Sequence, residues 1–309
     1  MSRIAVVGSN MMDLVTYVTR FPESGETVEA PRFLMAHGGK GANQAVAAAH
    51  LGSDVLFVGK VGGDAFGTLT LENFRRNGID ARHVGVAADM ASGVAPIFVE
   101  PGGENRILIV TGANAMLAPD DVERAREDLA QADAILLQLE VPLETVYAAL
   151  ALGVAHGVPV FLNPAPATPQ LDPARLGGLA FLLPNGPELA LLTGLPVTTT
   201  AEAEAAARTL VTAGIGAVVV TLGADGALYV TAETVVHVAA PRVAPLDTSG
   251  AGDAFIGSFA HHFTTTHDVV EALQAAVTYA AHSVTRRGTQ ISYATRAEFE
   301  AFRLTSKGG

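Results

Sequence analysis

Ile4-Ala5-Val6-Val7-Gly8-Ser9-Asn10-Met11-Met12-Asp13 is a short run rich in β-branched residues that ends in a glycine turn and then reaches a carboxylate. The run is too short for a helix and is bounded by turn residues, which predicts a buried strand over 4–7. Residues 8–13 then leave the carboxyl end of that strand, where the ligand sites of open α/β sheets lie. A dinucleotide-binding turn would carry G-x-G-x-x-G here, and the sequence lacks it. Asp13 suits two sugar hydroxyls, although a lone aspartate is more commonly a turn or cap residue.

Outward from this strand the pattern recurs. Runs over 55–58, 134–137, 158–162, 181–183 and 217–221 read as strands, and 42–51, 68–77, 120–130, 144–156 and 201–213 have helical spacing. Strands alternating with helices predict a mainly parallel sheet covered on both faces, a three-layer α/β/α domain over residues 1–309. Two stretches break the rhythm, Leu14 to Met35 and Val94 to Val110. Their β-like runs (14–18, 94–100 and 106–110) are separated by turn residues, including Gly102-Gly103, and predict a small projecting sheet. Helices return over 254–263 and 269–284, and a short polar tail over 306–309 reads as frayed.

The 309 residues are 49% hydrophobic and 16% charged, enough to bury a sizeable core. A net charge of -12 repels polyanions and argues against nucleic acid or an anionic membrane as partner. The absence of cysteine excludes disulfides and thiolate chemistry and permits a reducing compartment. The first apolar run is short for a secretory leader, and no run reaches the roughly 18 residues of a membrane helix. The expectation is a soluble cytoplasmic protein. The nine histidines show no metal-ligand spacing, and His261-His262 would point to different helix faces.

Two glycine-rich stretches carry the chemistry. In Asp247-Thr248-Ser249-Gly250-Ala251-Gly252-Asp253-Ala254-Phe255, glycines lead into an amphipathic helix, so backbone N–H groups can converge on an anion. Asp253 falls in the first turn, where the helix dipole favours a carboxylate; an ordinary Gly-rich helix start is the competing reading. His37-Gly38-Gly39-Lys40-Gly41-Ala42-Asn43-Gln44-Ala45 resembles a Walker A loop only superficially, because Gly41 follows the lysine. It does offer close backbone approach, an ammonium and an amide, a set suited to sugar hydroxyls and phosphate. Glu140 and Glu188 each follow a predicted strand. Asn185 and Glu188, three apart, suit hydrated Mg²⁺ or a plain helix cap.

Together these stretches resemble the two signatures of the ribokinase (PfkB-type) carbohydrate kinase family. Gly25-Glu26-Thr27, Gly112-Ala113-Asn114-Ala115, Gln138-Leu139-Glu140, Asn163-Pro164-Ala165-Pro166-Ala167, Thr221-Leu222-Gly223 and Val284-Thr285-Arg286 extend the likeness over nearly the whole chain. The resemblance implies a catalytic base at Asp253 and an anion hole at Gly250, Ala251 and Gly252. It implies sugar binding by Met11, Asp13, Gly39, Lys40, Asn43, Glu140 and Asp253. ATP and Mg²⁺ would lie against Asn185, Glu188, Thr221, Gly223, Gly226 and Gly252. A monovalent cation, usually K⁺, would sit at Asp247, Ser249, Ser283, Arg286, Gly288 and Ser292. The small sheet would act as a lid and as a homodimer interface.

The expected reaction is phosphorylation of D-ribose at its 5-hydroxyl, with 2-deoxy-D-ribose as the alternative. A nucleoside or hexose kinase, or a sugar-binding regulator without chemistry, is a further reading. Ribose-specific bacterial relatives usually carry asparagine where Met11 stands, and a thioether cannot offer an amide's hydrogen bonds. The runs 8–17 and 25–31 resemble the deoxyribose-phosphorylating branch. His37 stands where an aromatic is common.

Overall fold

β1 (Arg3–Val7) lies inside the main sheet because its side chains alternate between two apolar layers. Ile4 and Val6 join one core and Ala5 and Val7 the other, all of them buried. In the computed structural model, which describes residues 2–102 and 104–306, the chain leaves β1 for β2 (Met11–Tyr17) and β3 (Arg32–Gly38) and returns through α1 (Lys40–Leu51) to β4 (Asp54–Gly62). It continues through α2 (Ala65–Arg76), β5 (Asp80–Ala87), β6 (Val94–Val99), β7 (Asn105–Ile107), α3 (Pro119–Arg124) and α4 (Arg126–Leu129). Then come β8 (Ala134–Leu137), α5 (Leu143–His156), β9 (Val160–Leu162), β10 (Phe181–Leu182), α6 (Gly186–Thr193) and α7 (Thr200–Thr212). The last elements are β11 (Ala217–Thr221), β12 (Ala227–Val230), β13 (Val235–Val238), α8 (Ala251–Thr266), α9 (Val269–Ser283) and α10 (Arg296–Ser306).

The main sheet has the order β13-β12-β11-β10-β9-β8-β1-β4-β5, and its pairings are parallel except along the β11-β12-β13 edge. The alternating strands and helices therefore form the expected α/β/α layers. The small sheet, ordered β3-β2-β6-β7, is built from the two stretches that broke the rhythm, but it reaches further than 14–35, from Met11 to Gly38. The expected hairpin joins β6 to β7; Gly102 lies in its turn, while Gly103 and residues 307–309 lie outside the described residues. Ser306, read from sequence as the start of a frayed tail, closes α10.

One helix differs from expectation, and one residue departs from the commoner reading of a lone aspartate. The helix expected over 120–130 is broken at Ala125, whose backbone leaves the helical region (φ -93°, ψ 3°), giving α3 and α4. Asp13 is neither a turn nor a cap residue: it is the third residue of β2, paired in register with Ala36.

α8 is anchored by Phe259 and Phe263, which meet Phe161 of β9 and Phe181 of β10 edge-on at centroid separations of 5.0–5.8 Å. On its other side α8 packs on α1 at Gly257, where a Cβ would stand 2.5 Å from the Gln44 carbonyl oxygen and 2.7 Å from the Ala47 Cβ. Helix propensity alone would favour alanine at this position by about 1 kcal/mol. Overpacking against backbone reverses that sign, so Gly257→Ala should destabilise the fold by about 1–3 kcal/mol. Chemical denaturation measures it; equal or greater stability would mean that the two helices part freely.

Candidate active site

The carboxyl ends of β1 and β8 neighbour each other in the parallel sheet, and the chain leaving them supplies the floor of the site. Ser9, just after β1, donates its hydroxyl to Glu140 Oε2 at 2.5 Å, and the Lys40 backbone N–H donates to the same oxygen at 2.9 Å. Glu140, just after β8, thereby ties the start of α1 to the end of β1. Burial pushes its carboxyl above the usual range, against the opposing pull of Ser9 and Lys40.

α1 and α8 both open on glycines with left-handed or related backbone. Gly39 (φ 86°) caps α1, and Gly250 (φ 73°) caps α8, where a Cβ would also stand 2.3 Å from Thr289 Cγ2. Their first turns meet: Asn43 Nδ2 donates to Asp253 Oδ2 at 2.9 Å, and Gln44 Nε2 donates to Asp253 Oδ1 at 3.0 Å. The Ala251 N–H is engaged with the Thr248 carbonyl at 3.3 Å. Among the described residues, the N–H groups of Gly250, Gly252 and Asp253 make no hydrogen bond. Of the three residues expected to form an anion hole, the two glycines therefore keep an N–H free for a ligand, as does Asp253.

Two charged groups facing this space are unpaired. Among the described residues, the Asp13 carboxylate makes no hydrogen bond and the Lys40 ammonium makes no ion pair within 4.0 Å. Burial, with Glu140 and Asp253 nearby, pushes the Asp13 carboxyl up to about 7. Burial lowers the Lys40 ammonium, but the charges of Asp253, Glu140 and Glu188 outweigh it and the net direction is up. Met11, 3% exposed, lines a cavity of about 280 Å³ together with Glu140, Ile109, Thr111, Ala115 and Pro166. The wall beside Glu140 is therefore largely apolar. His37 stands in β3, partly buried, where burial lowers its imidazole.

The residues expected on the nucleotide side also converge. The Thr221 N–H donates to the Pro184 carbonyl at 3.0 Å, which sets the turn containing Gly223 and Gly226 beside the start of α6. Asn185 and Glu188 form a capping box: Glu188 N–H donates to Asn185 Oδ1 at 2.8 Å, and Asn185 N–H and Nδ2 donate to Glu188 at 2.9 and 3.0 Å. Burial raises the Glu188 carboxyl, and its charge couples to Lys40 and Asp253 across the site.

The residues expected around a monovalent cation lie in two linked loops. Asp247 accepts the Ser249 N–H at 2.9 Å and the Gly288 N–H at 2.8 Å, and these bonds hold its carboxyl low against burial. The Ser283 hydroxyl donates to the Ala280 carbonyl and the Ser292 hydroxyl to the Thr289 carbonyl. The Arg286 guanidinium turns to Glu298 at 3.1 Å, so Arg286 can face the loop only through its backbone. Among the described residues there is no cluster of three or more His, Asp or Glu able to hold a metal. The rings of His261 and His262 meet edge-on at 4.9 Å and line one cavity, rather than serving separate faces.

Sequence reading missed Ser9, Gln44, Gln138, Gln290 and Tyr293. Tyr293 donates its hydroxyl to the Gly250 carbonyl at 2.9 Å and so ties down the glycine that caps α8. None of these residues stands out locally; the glycine loops next to Ser9 and Gln44, and Glu140 next to Gln138, signalled only their neighbourhood.

The sequence profile of pfkB family carbohydrate kinases matches residues 1–296. Deoxyribokinase of Salmonella typhi is 51% identical over 299 residues, covering 97% of this chain and 98% of that protein. Ribokinase of Mus musculus is 38% identical over 294 residues, covering 94% and 91%. The solved structure of Arabidopsis thaliana ribokinase complexed with ribose and ATP has a TM-score of 0.90 at 30% identity, covering 98% of this chain and 99% of that one.

The raised Asp13 carboxyl has a thermodynamic consequence. Because the fold favours the protonated form, this group's contribution is fully present below its ordinary value of 3.8 and is lost as pH rises to about 7. Without ligand, Asp13→Asn should match the parent near pH 4 and exceed it at pH 8 by on the order of 2 kcal/mol. Thermal unfolding at the two pH values checks this; equal differences at both would show that Asp13 titrates normally.

Proposed function

The chain belongs to the pfkB family of carbohydrate kinases, and we propose that it transfers the γ-phosphate of ATP to the 5-hydroxyl of a pentose, preferring 2-deoxy-D-ribose, with D-ribose as second substrate. The observation carrying this reading is Asp253 at the N-terminus of α8, with unpaired Asp13 and Lys40 facing the same space. Asp13, Gly39, Lys40, Asn43 and Glu140 hold the sugar, and Asp253 takes the proton of the 5-hydroxyl as that oxygen bonds to the γ-phosphorus. The bond from the γ-phosphorus to its bridging oxygen breaks, and ADP leaves. The free N–H groups at Gly250 and Gly252 receive the phosphoryl oxygens, whose charge is spread in a loose transition state.

The nucleotide is assigned to Asn185, Glu188, Thr221, Gly223, Gly226 and Gly252. Mg²⁺ fits this side, because Glu188 and Asp253 are like charges sharing a space in which Lys40 is the cation acting on both. When bound, Mg²⁺ screens the phosphate charge. A monovalent cation is assigned to the loops of Asp247, Ser249, Ser283, Arg286, Gly288 and Ser292, where the Ser249 and Gly288 N–H groups keep the Asp247 carboxyl low and so available as an anionic partner.

The sequence reading placed ribose first. Met11, buried in an apolar wall beside Glu140, favours the less hydroxylated sugar, because a buried 2-hydroxyl would lack a partner there. The 51% identity to a deoxyribokinase against 38% to a ribokinase points the same way. No helix among the described residues is long and apolar enough to cross a membrane, and the lack of cysteine accords with a cytoplasmic location. The exposed Phe33, Met35, Ile107 and Leu108 of the small sheet and the chain after it support a homodimer through the lid. Sedimentation velocity tests this; a monomer at micromolar concentration would count against it.

Measurement of kcat/KM for the two pentoses, with ADP release as readout, decides the substrate. Deoxyribose should be favoured, and Met11→Asn should shift the ratio toward ribose by about tenfold. Turnover of neither pentose would overturn the assignment, and an unchanged ratio would remove Met11 from it.

A further inference from the structure

Asp253 is held by two chains of side-chain amides that run into its carboxylate from different parts of the fold. One is Asn73→Gln290→Asn43→Asp253, with each step at 2.9 Å. The other is Gln138→Gln44→Asp253, at 2.7 and 3.0 Å. Asn43, Gln44, Gln138, Gln290 and Asp253 are all buried. Asn73 belongs to α2, Gln138 follows β8, and Gln290 follows α9, so no single local element sets the arrangement.

A carboxylate only accepts hydrogen bonds, so Asn43 and Gln44 must present nitrogen to Asp253. That choice directs the Asn43 carbonyl oxygen at Gln290, which must then present nitrogen, and the Gln44 oxygen at Gln138 in the same way. Both chains are therefore polarised toward Asp253, and each of its oxygens receives one donor. Two donors on two oxygens fix the plane of the carboxylate and leave each oxygen a lone pair.

We propose that Gln44 and Gln290 are positioning residues whose amides set the orientation in which Asp253 meets the attacking hydroxyl. This rests on the reading of Asp253 as the base. Neither glutamine has to touch the sugar: Gln290 acts through Asn43, and Gln44 acts directly on the carboxylate. A buried glutamine kept only to fill space would serve equally well as a methionine of similar shape, whereas a positioning glutamine would not. A small rotation of a catalytic group costs up to about 100-fold in rate without weakening the binding of substrate.

The test is a double-mutant cycle between Gln290→Met, Gln44→Met and Asp253→Asn, read as kcat and as KM for deoxyribose and ATP. Each methionine variant should lower kcat by about tenfold and leave both KM values within about threefold. Asp253→Asn should lower kcat by about a thousandfold or more. In that background the methionine substitutions should have no further effect on kcat, because the group they orient is gone. Asn73→Ala, at the partly exposed outer end of one chain, should keep the fold and lower kcat by about threefold; this arm stands even if a core variant does not fold. Near-normal turnover in Asp253→Asn would overturn the base itself. Loss of turnover in Asp253→Asn together with equal Gln→Met effects in both backgrounds, or effects confined to KM or stability, would overturn the positioning role alone.

Discussion

The contact of α1 with α8 at Gly257 is the constraint on which the site depends. A helix start aims its free N–H groups and its partial positive charge along its axis, and two helices can aim at one place only if their axes are fixed against each other. The missing Cβ at Gly257 lets α8 come down on the Gln44 carbonyl, and four phenylalanines hold its far side to the sheet. As a result Asn43, in the first turn of α1, reaches Asp253, in the first turn of α8, across 210 residues of sequence. The two glycine loops are separate in sequence and a single feature in space.

That convergence collects more negative charge than it neutralises. Glu140, Glu188 and Asp253 act on one lysine, with Asp13 beside Glu140 and Asp253, and the upward displacement of the Asp13, Glu140 and Glu188 carboxyls records the strain of gathering them away from water. Part of the compensation is internal: backbone N–H donors serve Glu140 and Glu188, and amide donors serve Asp253. Asp13 has no such compensation among the described residues. A ligand bearing several hydroxyl donors would supply what Asp13 lacks, so a strained and unpaired group is also one suited to meet an incoming sugar.

The sequence made the layers legible because parallel strands buried on both faces read as short apolar runs, and those over 134–137 and 217–221 stand where they were expected. The break at Ala125 was not legible, since neither proline nor glycine marks it and the helical spacing continues through it. Strand β5, at the sheet edge, does not show because Asp80, Arg82 and His83 break up any apolar run, and β12 and β13 do not because they follow β11 without an intervening α-helix. In the site, glycine betrayed the two loops, and the carboxylates following predicted strands betrayed Asp13, Glu140 and Glu188. Gln290 gave no sign, and Gln138 showed only as a neighbour of Glu140, because a buried amide is recognisable only by its partner, and the partner of Gln290 stands 247 positions away.

Asn185 and Glu188 show why a local pattern with two readings need not be resolved in favour of one. From sequence the pair is either a helix cap or a set of ligands beside a nucleotide and its metal. The geometry makes it a complete capping box, with both donors and both acceptors engaged. Yet the Glu188 charge still reaches Lys40 and Asp253. The cap determines where the carboxylate stands. It is therefore held at a fixed place on the edge of the site, as a group that must meet phosphate-bound cations without moving would have to be. At this position a helix cap and the proposed ligand role are compatible, because the bonds that begin α6 are also the bonds that orient the charge.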